Sequence, residues 1–246
     1  MTTLLARRAP VAKLGAALTL SVAAVLTLDP VALAVLAAIP LVTAPLFGLS
    51  PLRLLRRAWP AFAAAVGIIL SLALFSADRG GTVYVHFGPF LVTSSVLATA
   101  GAYALRLVAL SLPAVLFTAT TDPTDLADSL VQHVRAPARF AYGALAAYRL
   151  VGLLTEEYQQ LTMARRARGI DSGGNPLRWA KLFAGTAFGL LVGAIRRGTR
   201  LAQAMDARGF DAGLPRTIAR PSRFGPPDVA LLLGTVFLAT VPLLAL

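Results

Sequence analysis

Two short stretches with matching residues, about forty positions apart, carry the side chains best suited to bind a partner. Residues 161–173 read LTMARRARGIDSG and residues 201–213 read LAQAMDARGFDAG, and both fit the pattern LxxAxxARG[IF]DxG. Arg168 and Arg208 hold the same place in the two copies. A guanidinium group binds carboxylates through paired, charge-assisted hydrogen bonds. The repeat therefore predicts two similar docking points, for two similar partners or for one partner used twice.

Each arginine is expected in the last turn of a helix that ends at the next residue. The leucine and the two alanines of the pattern recur every third residue, which places them on one helical face. Glycine then supplies the left-handed conformation that commonly ends a helix, and the helix dipole favours a cation there. The alternative is a pair of ordinary glycine-terminated helices. The predicted docking residues are Ala167, Arg168, Gly169, Ala207, Arg208 and Gly209.

Two long helices are predicted to carry these ends. The first begins at Pro137 and runs to Arg168, and the second begins at Asn175-Pro176 and runs to Arg208. A shorter helix precedes them, with Asp122 as its N-cap and Pro123 at its first position, and it ends near Arg135. Proline thus opens each long helix and the sequence Ala-Arg-Gly closes it.

Three glycines recur at every fourth position inside the last of these helices. Gly185, Gly189 and Gly193 lie within an apolar stretch, Leu182 to Ile195, that is too short to span a bilayer. Glycines at this spacing allow two helices to touch backbone to backbone. We expect this helix to cross its neighbour closely, partly sunk at the membrane surface. The alternative is a chance run of small residues in an alanine-rich chain.

The composition indicates a polytopic membrane protein. Of the 246 residues, 57% are hydrophobic and only 14% are charged, against roughly 25% charged in soluble domains. The net charge of +12 does not indicate a nucleic-acid partner, because the arginines flank apolar segments or cluster in one polar region, as the positive-inside rule predicts. The five predicted spans are about Lys13–Leu28, Val31–Leu49, Trp59–Ala77, Phe90–Ala119 and Val229–Leu246.

The predicted fold is an all-α membrane protein with about five transmembrane helices and a cytoplasmic domain of long coupling helices inserted before the last span. Its predicted parts are a transmembrane region over residues 1–119, the coupling domain over 120–227 and a last span over 228–246. The N-terminus and the coupling domain are expected in the cytoplasm, and the loop from Asp78 to Pro89 outside. Arg106 falls inside the fourth span. A charge there is a functional candidate. We expect instead that its side chain reaches the membrane surface, or that the segment is a surface stretch followed by a span beginning near Tyr103.

The chain shows no signature of catalysis. Glu156-Glu157, the one carboxylate pair, lies mid-helix in register with Arg149, which favours a solvated or salt-bridged face. His86 and His133 do not form a metal pair, and neither Lys13 nor Lys181 lies in a phosphate-binding loop. There is no cysteine. A membrane chain with these properties and two exposed arginine ends is expected to act through partner proteins.

These features resemble the transmembrane T components of energy-coupling factor transporters, the EcfT or CbiQ-like family of ABC-type importers. The resemblance rests on two Ala-Arg-Gly motifs, at residues 167–169 and 207–209. Thr120 to Leu126, which read TTDPTDL, resemble the family's entry to the cytoplasmic domain. Pro10 to Leu14, which read PVAKL, resemble its early DPxxKL motif, with Ala9 where aspartate is usual. The resemblance covers almost the whole chain.

The resemblance implies a non-catalytic subunit that joins two ABC-type ATPases to a small substrate-binding S component in the membrane. ATP binding and hydrolysis in the ATPases would move the two long helices, and the S component would release a vitamin or a transition-metal ion inside. No cofactor is expected on this chain, since ATP-Mg is used by the partner subunits. The alternatives are a stand-alone secondary transporter or channel, and a membrane enzyme or assembly scaffold.

Overall fold

The computed structural model describes residues 8–75, 80, 82–87, 90–210 and 217–244. The chain forms two compact units, one of Met1–Val134 with Ser222–Leu246 and the other of Arg135–Pro221. The helix that follows residue 120 belongs to the first unit, although the predicted coupling domain begins there. The limits of the membrane and cytoplasmic regions stay predictions.

The first unit is a helical bundle with one small β-hairpin. Proline is the first residue of five of its helices, including the one predicted to begin at Pro123, because proline fits the first turn of a helix, where no N–H is needed. Asp29 caps the second helix by accepting a hydrogen bond from the Ala32 N–H at 2.7 Å. The helices are α1 Pro10–Leu26, α2 Pro30–Thr43, α3 Pro51–Arg57, α4 Trp59–Phe75, α5 Ser94–Thr120, α6 Pro123–His133 and, after the second unit, α9 Pro226–Leu244.

The core of this unit lies where α1, α2, α5 and α9 meet. Leu33, Leu36 and Leu112 are completely buried there. α4 packs along α5, and α3 packs on α5 through Leu54, which is also fully buried. Because lipid tails are as apolar as leucine, close van der Waals packing of these side chains, rather than their removal from water, holds such helices together in a membrane.

The described helices include three that are long and apolar enough to cross a membrane, judged by length and composition. Two are predicted spans, Pro30–Phe47, which is α2 with the 3-10 turn Ala44–Phe47, and Ser94–Thr120. α3 and α4 form one more candidate if the pair, bent by 57°, counts as a single span. α1 has only 17 residues, about 26 Å, and is shorter than a hydrocarbon core of about 30 Å. α9 is likewise a shorter apolar helix.

The fourth predicted span begins later than the sequence suggests. Residues Val83–Phe87 and Phe90–Thr93 form antiparallel strands β1 and β2, with a register shift between Val83 and Val85. The predicted loop therefore contains a strand, and the helix α5 starts at Ser94 rather than Phe90. β-Branched and aromatic residues favour strands, which explains why the apolar residues before Ser94 are not helical. The fold is all-α apart from this hairpin.

The second unit contains two long antiparallel helices. α7 covers Ala138–Ala167 and α8 covers Pro176–Ala207, each within one residue of the predicted bounds. Asn175 caps α8 by accepting hydrogen bonds from the N–H groups of Leu177 and Arg178. Thr186 is the one buried residue among those described between 135 and 221. The pair therefore has almost no core of its own and exposes most of its surface. The third candidate span is α8, since it also meets the length and hydropathy criteria.

Candidate docking site

The two Ala-Arg-Gly motifs have the same geometry at the ends of α7 and α8. Gly169 has φ +74°. Its N–H donates to the carbonyl of Arg166 at 2.9 Å, and the Ile170 N–H donates to the carbonyl of Arg165 at 3.0 Å. These two bonds form a Schellman motif, which satisfies carbonyls that a helix end otherwise leaves unpaired. Arg168 is the last residue before the left-handed glycine.

The second helix end repeats this arrangement. Gly209 also has φ +74°. Its N–H donates to the backbone carbonyl of Asp206 at 2.9 Å, and the Phe210 N–H donates to the carbonyl of Met205 at 3.0 Å. Arg208 therefore projects from the same backbone position as Arg168. The sequence repeat is confirmed as a repeat of structure. Of the aspartates that follow, Asp171 accepts a hydrogen bond from the Ser172 N–H, and Asp211 with Gly213 lie outside the described residues.

Both arginine side chains are exposed. Neither the Arg168 side chain nor the Arg208 side chain has a hydrogen-bond or ion-pair partner within the described part of the chain. The leucines of the repeat, Leu161 and Leu201, are exposed as well. Each helix end thus presents a cation beside an apolar strip, a combination that suits docking on an acidic and partly apolar surface.

The two arginines lie at opposite ends of the helix pair. α8 follows the turn after Arg168 and ends just before Arg208. Its 32 residues extend over about 48 Å at the usual helical rise. Two contacts show that the helices run antiparallel, one joining Glu157 to Arg197 and one joining Arg165 to Leu182. The distance between the ends is sufficient for two separate globular partners.

The three neighbouring arginines at the first motif, Arg165, Arg166 and Arg168, have different roles. Nη1 of Arg165 donates to the carbonyl of Leu182 at 2.8 Å and to Oγ1 of Thr186 at 2.5 Å. Thr186 in turn donates to the Leu182 carbonyl at 2.7 Å. Arg165 therefore holds α7 against α8, while Arg166 and Arg168 point outward as exposed residues. The sequence does not distinguish these arginines, because their difference depends on a contact with α8.

The glycine stripe of α8 does not bring the two backbones together. A Cβ atom added at Gly189 would meet nothing within 4 Å, and at Gly185 its nearest neighbour would be Nη2 of Arg165 at 3.9 Å. At Gly193 the neighbours are side-chain atoms of Arg197 and Glu157. The expected backbone contact is therefore wrong for this pair of helices. Side chains bridge α7 and α8, and they keep the backbones apart along the stripe.

The carboxylate pair of α7 takes part in this bridging. Glu157 forms an ion pair with Arg197 of α8, which agrees with the salt-bridged alternative but with a partner on the other helix. Both side chains are more than a third exposed, so the pair contributes little to stability. The ring contact between Tyr158 and Phe183, with centroids 6.1 Å apart, adds to the same interface.

Arg106 has a structural role inside the first unit. Its Nε donates to the carbonyl of Ala24 at 3.0 Å, and its Nη2 donates to the carbonyl of Val25. Both carbonyls belong to the last turn of α1, which has no intrahelical donors for them. The guanidinium therefore satisfies the end of a neighbouring helix. The sequence reveals the charge but not its acceptors.

Residues 10–14 at the start of α1 and residues 120–126 before and within α6, both singled out in the sequence, contact each other in the fold. Nζ of Lys13 donates to the carbonyl of Thr120 at 2.9 Å and lies 5.9 Å from the ring centre of Phe47. Oδ1 of the buried Asp228 accepts a hydrogen bond from the Ala9 N–H at 3.0 Å. A carboxylate from α9 therefore supports the beginning of α1.

The described residues contain no cluster of three or more histidine, cysteine, aspartate or glutamate side chains that could hold a metal ion. His133 instead makes a hydrogen bond through Nε2 with the carbonyl of Ser222 at 3.1 Å. The side chain of His86 lies outside the described residues.

Comparison with known proteins identifies the family. The CbiQ family, described as cobalt transport protein, matches residues 1–217. Energy-coupling factor transporter transmembrane proteins EcfT from three bacteria are similar to this chain. The protein of Limosilactobacillus fermentum is 31% identical over 72% of the chain and 68% of its own length. That of Brevibacillus brevis is 34% identical over 66% and 64%, and that of Listeria innocua is 30% identical over 70% and 68%.

These alignments support what the two helix ends and the apolar helices indicate. The resemblance seen in the Ala-Arg-Gly motifs is confirmed, and so is the assignment to a membrane protein of a transport system. The chain belongs to the CbiQ family and is the transmembrane T component of an energy-coupling factor transporter.

Proposed function

We propose that this chain couples two ABC-type ATPases to a substrate-binding S component, without catalytic activity of its own. The observation that carries the proposal is the pair of exposed arginines, Arg168 and Arg208, at matching helix ends with no partner among the described residues. Each arginine would pair with carboxylates in a groove of one ATPase. ATP-Mg would be bound and hydrolysed in those partners, and this chain would bind no cofactor.

The mechanical step would use the two helices as rigid arms. α7 and α8 are joined by Arg165 with Thr186 and by Glu157 with Arg197, so a displacement at one end would be transmitted along the pair. The docking set for the ATPases is Ala167, Arg168, Gly169, Ala207, Arg208 and Gly209. In each motif the alanine would keep the surface flat, and the glycine would end the helix so that the arginine is the outermost charge.

The S component would dock on apolar surface left open by this unit. Phe188, Leu191 and Ile195 of α8 are all more than half exposed, and such apolar patches mark protein or membrane contacts. Gly185, Gly189 and Gly193 lie on a different face of α8, where the nearest α7 side chains are Arg165 and Glu157. They are therefore not part of this apolar surface. The substrate would be a vitamin or a transition-metal ion selected by the S component.

The proposed topology puts the N-terminus and the coupling helices in the cytoplasm. The cluster of arginines between residues 120 and 227 supports this orientation through the positive-inside rule. A secondary transporter or channel is the alternative, and it would need ionisable groups facing a transport path. Arg106, the charge inside α5, is already bound to α1, which favours the coupling role.

Gentle extraction of the protein from its native membrane tests the proposal. Mass spectrometry of the co-purifying chains should detect two ATPase polypeptides, or one in double amount, together with a small hydrophobic protein. A preparation that contains this chain alone and still supports flux without nucleotide would instead establish the secondary transporter. Reconstitution of the extracted protein into sealed vesicles keeps both outcomes measurable on the same sample, because flux requires an enclosed volume.

A further inference from the structure

α3 packs firmly on the first unit and joins α4 at a sharp bend. The two helices meet at an angle of 57°. Leu54 is fully buried and Ala58, between the helices, is 1% exposed. α3 is therefore anchored in the core of the first unit, and its outer side keeps a fixed direction.

Three arginines share that outer side. Arg53, Arg56 and Arg57 are spaced at i, i+3 and i+4, which places them on one face of the helix, away from Leu54. All three are exposed. Arg53 donates through Nε to Oγ of Ser50 at 2.9 Å. None of the three has a carboxylate partner within the described part of the chain, and residues 30–77 contain no aspartate or glutamate.

A strip of exposed apolar side chains begins directly after these arginines. Trp59 is 66% exposed at the start of α4. Four further side chains follow at every fourth position, and they are Phe62, Val66, Leu70 and Leu74. Such a strip on a membrane helix faces acyl chains. The change from arginine to apolar residues at positions 57–59 therefore marks the level of the lipid headgroups, where tryptophan is also enriched.

We propose that Arg53, Arg56 and Arg57 form a binding site for the phosphate groups of anionic phospholipids, with Trp59 at the boundary between headgroups and acyl chains. The planar guanidinium fork fits phosphate oxygens in pairs. An anionic lipid is expected to bind better than a zwitterionic one, because its headgroup carries a net negative charge that can balance the three arginines. An acidic segment of a partner protein is the competing occupant, and the experiment separates the two.

Fluorescence of Trp59 reports on the lipids beside the bend between α3 and α4. The chain has two tryptophans, so Trp179→Phe leaves Trp59 as the single tryptophan in the full-length protein. This variant is reconstituted in phosphatidylcholine vesicles that contain increasing fractions of acyl-brominated phosphatidylglycerol or acyl-brominated phosphatidylcholine. We expect the relative binding constant from quenching to favour phosphatidylglycerol about fivefold or more, since each basic residue near an anionic surface contributes to binding.

Charge variants then assign the preference to α3. Replacing Arg53, Arg56 and Arg57 by glutamine should abolish it, and replacing all three by lysine should retain part of it, because the charge stays while the paired hydrogen bonds are lost. The matched control replaces Arg178, Arg196 and Arg200 by glutamine. These three arginines are also exposed but lie on α8, so the preference should be unchanged.

Three results would overturn the proposal. The first is equal quenching by the two brominated lipids in the protein with its native arginines. The second is a phosphatidylglycerol preference that survives the glutamine replacements. The third is a preference that survives a rise in salt from about 50 mM to about 500 mM, since screening weakens contacts with exposed charges. Loss of a co-purifying acidic protein in the glutamine variant, without any lipid preference in the parent, would assign the site to that protein. The salt titration needs no arginine variant and does not depend on how well the variants fold.

Discussion

Arg165 of α7 donates from Nη1 to Oγ1 of Thr186 in α8 at 2.5 Å, and Thr186 is the one buried residue described in the second unit. Three residues later, Arg168 has no partner among the described residues. One arginine of the motif region therefore joins the two helices, and the other is available for a partner. The stability of the helix pair and its docking on a partner protein therefore depend on different arginines.

Arg165→Ala is expected to destabilise the pair of helices. The substitution removes the donor to Thr186 Oγ1 and one of the donors to the Leu182 carbonyl, and a lost hydrogen bond to a charged group costs about 1.5–3 kcal/mol. Arg166→Ala is the matched control, since Arg166 is exposed and its loss should change the free energy of unfolding by less than about 0.5 kcal/mol. Thermal unfolding in detergent distinguishes them. Equal melting temperatures for the two variants would contradict the assigned role of Arg165.

Gly169→Ala and Gly189→Ala should change stability in opposite directions. Gly169 has φ +74°, where a side chain is strained, so alanine is expected to cost about 1 kcal/mol. Gly189 lies inside α8 with nothing within 4 Å of an added Cβ, so alanine should stabilise the helix by about 0.5–1 kcal/mol. Unfolding monitored by circular dichroism provides both values. A destabilising effect at Gly189 would show that α7 lies closer to the glycine stripe than the structure has it.

Arg106→Leu should destabilise the first unit. The Ala24 and Val25 carbonyls at the end of α1 would lose their donor in an apolar environment, at a cost of about 1–3 kcal/mol. Arg106→Lys should recover part of the stability, since an ammonium group can still reach one carbonyl. The melting temperature of the purified chain measures the series. A leucine variant as stable as the parent would argue for a functional charge in the membrane instead.

Asp228→Ala should loosen the start of α1. Asp228 is 4% exposed, and its two oxygens accept hydrogen bonds from the N–H groups of Ala9 and Gly225. Unsatisfied buried donors cost about 1–3 kcal/mol each. Asp206→Ala, at an exposed position on α8, is the control and should change stability by less than about 0.5 kcal/mol. Hydrogen exchange of the α1 amides measures the local effect, and unchanged exchange would contradict it.

The helices of the second unit could be predicted from sequence because their limits depend on local chemistry. Asn175-Pro176 opens α8 and Gly209 ends it, and each signal acts within a few residues of the backbone that it fixes. The same is true of Asp122 at the start of α6. The place of Arg168 and Arg208 at the ends of the two helices follows in the same way from the glycine after each of them.

The contacts between elements could not be predicted from sequence. Arg106 is recognisable as a charge in an apolar run, but its acceptors lie on α1, about eighty residues away in the chain. The glycine stripe of α8 has the spacing of a helix contact, yet Arg165, Glu157 and Arg197 separate the backbones. The β1–β2 hairpin was missed because a short apolar run before a span fits a strand or a helix equally well.

The most direct test of the account replaces both exposed arginines and measures the assembly of the complex. Arg168→Ala/Arg208→Ala should abolish co-purification of the ATPases and ATP-dependent uptake, while the melting temperature of the chain stays unchanged because neither side chain has a described intrachain partner. Each single variant should weaken assembly less than the pair. Arg178→Ala/Arg200→Ala, two exposed arginines within α8, should assemble and transport normally. Full assembly and uptake in the Arg168→Ala/Arg208→Ala variant would contradict the central claim.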